Sequence, residues 1–436
     1  MKSLKYCIRF ILIVNCLTIF LQGYSQKTFI RAGRVIDPAS GAVLLNQVLV
    51  VENKKIVDIG ANIPIPANGQ VIDLGKATLM PGLFDAHTHV CSTVSKFADW
   101  LGVDYFDMVL LNPNGYRAIQ GAVHAREMLE SGFTTIRDAG NSGKYADVDV
   151  KRAINEGLVP GPTMIVAGKI IAPFGGQFRT RADQQFLIND EYLFADTRDE
   201  IIKGIRENIY YGADVIKIVV DGQRYSYGYE DIKLFVDEAK KAGVKVMAHC
   251  QSPKGEYAAA KAGVASIEHG WTIPDSVATI MKEKNIVLVS TDFTEETLKE
   301  FGHPEERARS IHGRRVERLK RVYKAGVTIA FGTDIMIDVE NKTRGQLAIN
   351  YIDSFSEAGI PPIDILKALT IHAARLLGME AQRGKIEKGM FADFIAVAGN
   401  PLDDINTLKQ VRFVMKEGKV VVNRMPLPAD PADKRR

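Results

Sequence analysis

From Lys27 to Leu79 the chain alternates short apolar runs with turn residues. Thr28-Phe29-Ile30, Val48-Leu49-Val50-Val51 and Lys55-Ile56-Val57 are separated by Gly, Asn, Pro and Asp, which predicts a small antiparallel β layer. The same texture returns in Ala392-Asp393-Phe394-Ile395-Ala396-Val397 and Val411-Arg412-Phe413-Val414-Met415, with Lys416-Glu417-Gly418-Lys419 as a hairpin turn. Segments 26–80 and 382–424 are therefore expected to build one composite, β-sandwich-like domain. Between them the rhythm changes to strand, loop and amphipathic helix, repeated. Strand-like runs fall at Leu83–Ala86, Thr134–Ile136, Thr163–Val166, Val215–Val219, Lys245–Ala248, Ser266–Ile267, Ile286–Val289 and Thr328–Phe331. Several follow a helix that ends in Gly (Gly132, Gly243, Gly263, Gly326), the residue suited to a left-handed cap. Eight such units in about 300 residues predict an α/β fold of the (β/α)8 TIM-barrel type over 81–381. The rival, a doubly wound open sheet, wants a glycine-rich phosphate loop after its first strand, and His87-Thr88-His89 stands there instead.

The ends change the picture little. Basic residues up to Arg9, an apolar run from Phe10 to Leu21, and small residues Gly23 and Ser25 before Gln26 form the pattern of a secretory signal peptide over 1–25. The expected location is secreted or periplasmic, with no stable membrane span, because about 12 largely apolar residues are too few to cross a bilayer. The Pro-rich, charged segment 425–436 reads as a disordered tail. Hydrophobic residues make up 46% and charged ones 25%, which excludes fibrous and disordered classes. Net charge is +4, and without Lys2, Lys5 and Arg9 it is 53 basic against 52 acidic residues. So even a balance offers no field for nucleic acid and points to a small-molecule or dipeptide partner. Oligomeric state is left open, a homo-oligomer included. Beyond the leader only Cys91 and Cys250 remain, too few for a disulfide framework, and the sequence leaves open whether they pair.

Among eight histidines, four lie at strand C-terminal ends. His87 and His89 close the first strand and, two apart, face the same way. His249 ends the fifth, His269 the sixth, and Asp334 follows Gly332-Thr333 at the end of the eighth. In a barrel these ends converge on the face where active sites are built. Neutral imidazoles and a carboxylate there suit a borderline cation such as zinc. Lys217 lies in the middle of the apolar run Val215-Ile216-Lys217-Ile218-Val219, where an unpaired ammonium is costly. It either pairs with Asp214 or Asp221, or is an amine of lowered pKa that adds carbon dioxide and becomes a carboxylate-like bridge between two ions. The remaining histidines, His124, His312 and His372, read as packing residues, His303 as a residue that can line the site, and Arg137-Asp138 as an internal ion pair.

These residues, with Met80-Pro81-Gly82-Leu83-Phe84-Asp85-Ala86-His87-Thr88-His89, Gly132-Phe133-Thr134-Thr135-Ile136-Arg137-Asp138, Ile267-Glu268-His269-Gly270, Phe331-Gly332-Thr333-Asp334 and Gly389-Met390-Phe391-Ala392-Asp393-Phe394, resemble the amidohydrolase superfamily. The likeness is to its imidazolonepropionase-like branch, with the Xaa-Pro and Xaa-Arg dipeptidases. It implies that His87, His89 and Asp334 hold one metal, His249 and His269 the other, and carbamylated Lys217 bridges them. It implies two divalent ions, zinc by preference, a metal-activated hydroxide, and Asp334 as the proton shuttle in hydrolysis of a C–N amide bond.

The substrate end departs from the branch. Where its dipeptidases carry His-x-His/Tyr-Gly after the fifth strand, this chain has His249-Cys250-Gln251-Ser252. Where they carry Gly-Gly-His after the third, it has Gly175-Gly176-Gln177. Gln177 and Gln251 are candidate hydrogen-bond partners of a substrate carbonyl or carboxylate. Arg179 or Arg224, the latter beside Tyr225 in a tyrosine-rich loop, is a candidate carboxylate fork, and that loop reads equally as solvated surface. The expected reaction is hydrolysis of a small dipeptide or N-acyl amino acid. Cyclic amides, lactones or esters, and a metal- or ligand-binding relative without turnover, remain as alternatives.

Overall fold

The computed structural model describes residues 27–94, 103–178 and 180–425. The leader expected over 1–25, nearly all of the tail, and Arg179 lie outside the described residues. Among those described, no helix is long and apolar enough to cross a membrane.

The N-terminal segment supplies β1 (Thr28–Asp37), β2 (Ala42–Glu52), β3 (Lys55–Gly60), β4 (Gln70–Asp73) and β5 (Thr78–Pro81). Then come the barrel strands: β6 (Leu83–Thr88), β7 (Phe133–Asp138), β8 (Thr163–Val166), β9 (Ile170–Ala172), β10 (Tyr192–Phe194), β11 (Val215–Val219), β12 (Lys245–Cys250), β13 (Ser266–His269), β14 (Val287–Val289) and β15 (Ile329–Ala330). The C-terminal segment adds β16 (Phe394–Val397), β17 (Phe413–Lys416) and β18 (Lys419–Asn423). Both ends of the chain share one sheet, in the order β18-β17-β16-β5-β1-β2-β3 with β4 paired to β1. Its core comes from both ends, with Ile30, Val35, Leu49, Phe394 and Phe413 in one apolar cluster. The β17–β18 turn sits in the left-handed region at both central residues, Glu417 (φ 48°) and Gly418 (φ 75°), as a tight hairpin requires.

In the barrel, β6-β7-β8 and β9-β11-β12-β13-β14-β15 run as parallel ladders. The third barrel strand, expected as the single run Thr163–Val166, is broken. It passes through Gly168 in the left-handed region (φ 67°), whose N–H is fixed by the buried Asp147 carboxylate, and resumes as β9 beside β11. Closure runs from the last strand to the first: Ala86 N–H bonds the Phe331 carbonyl, and Thr88 bridges Ile335 in parallel. That closed ring removes the open-sheet alternative. Gly132, Gly243, Gly263 and Gly326 have φ of 104°, 70°, 85° and 79°, so each turns the chain at a helix end where a side chain would be strained.

Candidate metal centre

The ring brings the C-terminal ends of β6, β12 and β13, the middle of β11, and the residues just after β15 to one place. His89 Nε2 lies 3.0 Å from Asp334 Oδ1, His87 Nε2 lies 3.5 Å from the same atom, and His269 Nδ1 is 3.7 Å from Oδ2. Lys217 Nζ stands 3.4 Å from His87 Nε2, and the His249 and His269 rings are 4.5 Å apart. Potential ligand atoms of His87, His269 and Asp334 all fall within 4.8 Å of one another. All six residues predicted as metal ligands are thus gathered, although the tightest trio draws on both of the predicted metal sets. A 770 Å³ groove between Trp271 and one face of the helix Glu305–Lys324 contains none of the six, so concavity alone does not locate this cluster.

The surroundings orient each imidazole. His87 Nδ1 donates to Glu268 at 2.7 Å, and His89 Nδ1 donates to the Gly140 carbonyl at 2.7 Å. In the neutral rings that leaves both Nε2 lone pairs turned to the cluster, the arrangement a ligand needs. His269 Nδ1 is 2.8 Å from the Thr291 hydroxyl. Burial, reinforced by neighbouring positive charge, holds His87, His249 and His269 well below the ordinary imidazole range, in the neutral form that binds metal. Burial works against the charged form of His89 too, but the hydrogen bond and charge of Asp334 outweigh it and raise this group.

Lys217 is 2% exposed, and burial pulls its amine down to about 8. Neither candidate partner takes it. Asp214 is held by Lys151 at 2.5 and 2.7 Å, and Asp221 accepts from the backbone of Gln251 and Ser252 and from the Ser252 hydroxyl. Among the described residues Lys217 makes no ion pair. Burial without an ion-pair partner favours the neutral amine, the form that can stand beside bound cations without repelling them.

Two supporting carboxylates were not singled out from sequence. Asp85 accepts from the backbone of His87 and Thr333 and from the Thr333 hydroxyl, which ties β6 to the Asp334 turn. Burial raises its carboxyl to about 7. Glu268 receives His87 on one side and Arg137 on the other, at 2.8 and 3.0 Å. The expected Arg137–Asp138 pair is therefore replaced by Arg137–Glu268, while Asp138 accepts the Val90 and Gly140 N–H groups and the Ser142 hydroxyl. Asp85 was signalled by alternation, two residues before His87 on the same strand. Glu268 was not, because His269 leaves the strand with φ 67° and lets two successive residues face the site.

Of the proposed substrate contacts, Gln177 reaches the cluster. Its Nε2 lies 3.3 Å from His249 Nδ1, and its Oε1 accepts from Tyr192 at 3.0 Å. Gln251, two residues beyond His249, is half-buried, its backbone held by Asp221. Arg224 and Tyr225 are exposed, Tyr225 by 75%, and no hydrogen bond or ion pair among the described residues ties them to the cluster. His124, His312 and His372 each bond a main-chain carbonyl, as packing residues do. Cys91 and Cys250 are both free thiols and buried.

A closed parallel barrel with imidazoles, a carboxylate and a buried amine at its strand ends is the architecture of a metal-dependent barrel hydrolase. Residues 78–421 match the Amidohydrolase family, and the chain belongs to that family. It is similar to an ochratoxinase of Aspergillus niger, 29% identical over 91% of this chain and 87% of that one. It is also similar to an imidazolonepropionase of Kosmotoga olearia, 24% identical over 86% and 91%. Among solved structures, a Xaa-Pro dipeptidase with bound methionine in the active site superposes with a TM-score of 0.79, at 30% identity over 91% of this chain and 99% of that one. The protein is an enzyme, a hydrolase acting on carbon–nitrogen bonds of the amide type.

Proposed function

We propose that this is an exported amidohydrolase that uses two divalent metal ions to hydrolyse the amide bond of a small dipeptide or N-acyl amino acid. The observation that carries the reading is the convergence of His87, His89, Lys217, His249, His269 and Asp334 at one barrel mouth. In this reading His87, His89 and Asp334 would hold one ion, His249 and His269 the other, and Lys217, once carbamylated by carbon dioxide, would supply a carboxylate-like ligand to both. A bound pair of zinc ions supplies a water acidic enough to act as hydroxide near neutral pH and polarises the scissile carbonyl.

The protein's own groups do the rest. Asp334, 16% exposed and in contact with His89, His87 and His269, is the carboxylate able to take a proton from water and return it to the leaving nitrogen. Its backbone is left-handed (φ 59°) and fixed by its N–H to the His87 carbonyl at 2.7 Å, so the turn that carries the carboxylate is anchored to β6. Gln177, anchored by Tyr192, presents its amide N–H beside His249, where a substrate carbonyl or carboxylate can accept it. A dipeptidase relative with methionine in its active site supports an amino acid as the released amine. Export rests on the leader pattern at 1–25.

The test is free-amine release by the zinc-loaded chain from Gln26 onward, in bicarbonate buffer, across dipeptides and N-acyl amino acids. Turnover of one subset is the expected result. Silence across the panel with metal bound rejects this reading in favour of cyclic-amide or lactone hydrolysis.

A further inference from the structure

Arg315 lies on the inner face of the helix Glu305–Lys324 and is only 7% exposed. Its Nη1 donates one long bond, 3.3 Å, to the Thr291 carbonyl. Its guanidinium carbon sits 4.9 Å from the Trp271 ring centroid and 5.4 Å from that of Phe293, so aromatic faces cradle it. Among the described residues no carboxylate pairs with it, and its Nε and Nη2 have no hydrogen-bond partner. Asp292, whose charge reaches Arg315, is bonded by Arg318 instead at 2.5 Å. A buried guanidinium with two idle donors and no carboxylate in direct contact is a costly arrangement, which an anion from outside would relieve. Burial already pulls the group down to about 10, with the charges of Asp292 and Asp334 opposing that shift.

Its place is as informative as its state. Thr291, whose carbonyl it holds, offers its hydroxyl to His269, and Trp271, on which it stacks, is two residues beyond His269. Arg315 thus touches both segments that flank the His269 side of the cluster. His303, in the loop before this helix, is held below its ordinary value by burial and by the charges of Arg307 and Arg315. An α-carboxylate lies only two bonds, roughly 2.5 Å, from the nitrogen that leaves in amide hydrolysis. A group that reads it must stand beside the metal centre, where Thr291 links Arg315 to His269.

We propose that Arg315 is the specificity-determining residue of this enzyme, receiving the free carboxylate of an N-acyl α-amino acid or dipeptide in a fork made by its Nε and Nη2. The proposal rests on the amidase reading above and narrows it to substrates whose leaving amine carries a carboxylate. Such a bidentate, charge-assisted contact is specific to a planar anion.

The experiment compares wild type with Arg315→Met on dipeptides offered as free acids and as C-terminal amides. Wild type should prefer the acids. In the variant KM for the acids should rise about 10- to 100-fold while KM for the amides stays put. Equal use of acids and amides by wild type, or an equal loss on both in the variant, overturns the proposal and leaves the amidase reading standing. Calorimetric titration of the zinc-loaded proteins with free L-amino acids and their amides gives a readout independent of turnover. Acid-selective binding that the substitution abolishes supports the fork even if no amide is cleaved, and absence of such binding in wild type overturns it. If Arg315→Met does not fold, Arg315→Lys, which keeps the charge without the fork, should show the same selective rise at smaller size, and an unaltered KM would overturn the assignment.

Discussion

Substituting Glu268 by Gln keeps the shape of the side chain and removes its charge. Glu268 is fully buried and is shared between Arg137, which is 2% exposed, and His87. Solvent screens neither contact. Removing one partner of such a pair leaves an uncompensated buried cation, and the cost of breaking buried pairs in this way is about 3–5 kcal/mol. With about 400 ordered residues unfolding at ~2.1 cal/mol/K each, the entropy at the midpoint is roughly 0.8 kcal/mol/K, so the melting temperature should fall by about 4–6 °C. The same change withdraws the carboxylate that orients His87 Nδ1, and losses of this kind weaken metal binding about 10- to 100-fold. Differential scanning calorimetry of the metal-free protein reads the first effect and chelator competition the second. A variant that melts with wild type and binds zinc equally well would show that the Arg137–Glu268–His87 chain neither stabilises the barrel nor holds the ligand.

Other outcomes follow from the same geometry. Asp334→Asn should keep the wild-type circular dichroism spectrum and lower kcat by about 10²- to 10⁴-fold, whereas retention of wild-type kcat would take Asp334 out of the proton path. Arg224→Met should leave KM unchanged for acidic substrates, and a raised KM would return this exposed loop to the substrate site. In the β domain, burial alone would raise Glu417, but hydrogen bonds from Lys54 and Arg383 outweigh it and bring the carboxyl down from 4.5 to about 2. A depressed folded-state value means the stabilisation is complete above the unfolded value of 4.5 and disappears as pH falls toward 2. The stability gap between wild type and Glu417→Gln should therefore be wide at pH 6, narrow progressively below pH 4.5 and vanish only as pH falls through 2 in denaturant titrations, and a constant gap would exclude this group from the acid limb.

Much of the barrel and of its mouth was legible before any coordinates, and for local reasons. Glycine caps, apolar strand runs and polar residues at strand ends are short-range signals, and the six candidate ligands all fall at such positions or, for Lys217, inside an apolar strand. What escaped depended on long-range partners or on broken periodicity. Arg137 neighbours Asp138 in sequence but points across the barrel to Glu268, 131 residues away. His269 (φ 67°), Thr291 (φ 47°) and Asp334 (φ 59°) abandon strand geometry at the mouth, so alternation fails where chemistry is concentrated. The break at Gly168 depends on the Asp147 carboxylate, which no local pattern announces. Arg315 is one of several cations on a basic helix, and only packing singles it out.

The most direct measurement on the central claim is the number of metal equivalents bound per chain, by elemental analysis of the bicarbonate-treated protein and of Lys217→Met. Two equivalents of zinc are expected in wild type, and a loss of at least one in the variant. One equivalent or none in wild type, or two retained without the Lys217 amine, would contradict a centre in which that residue joins two ions.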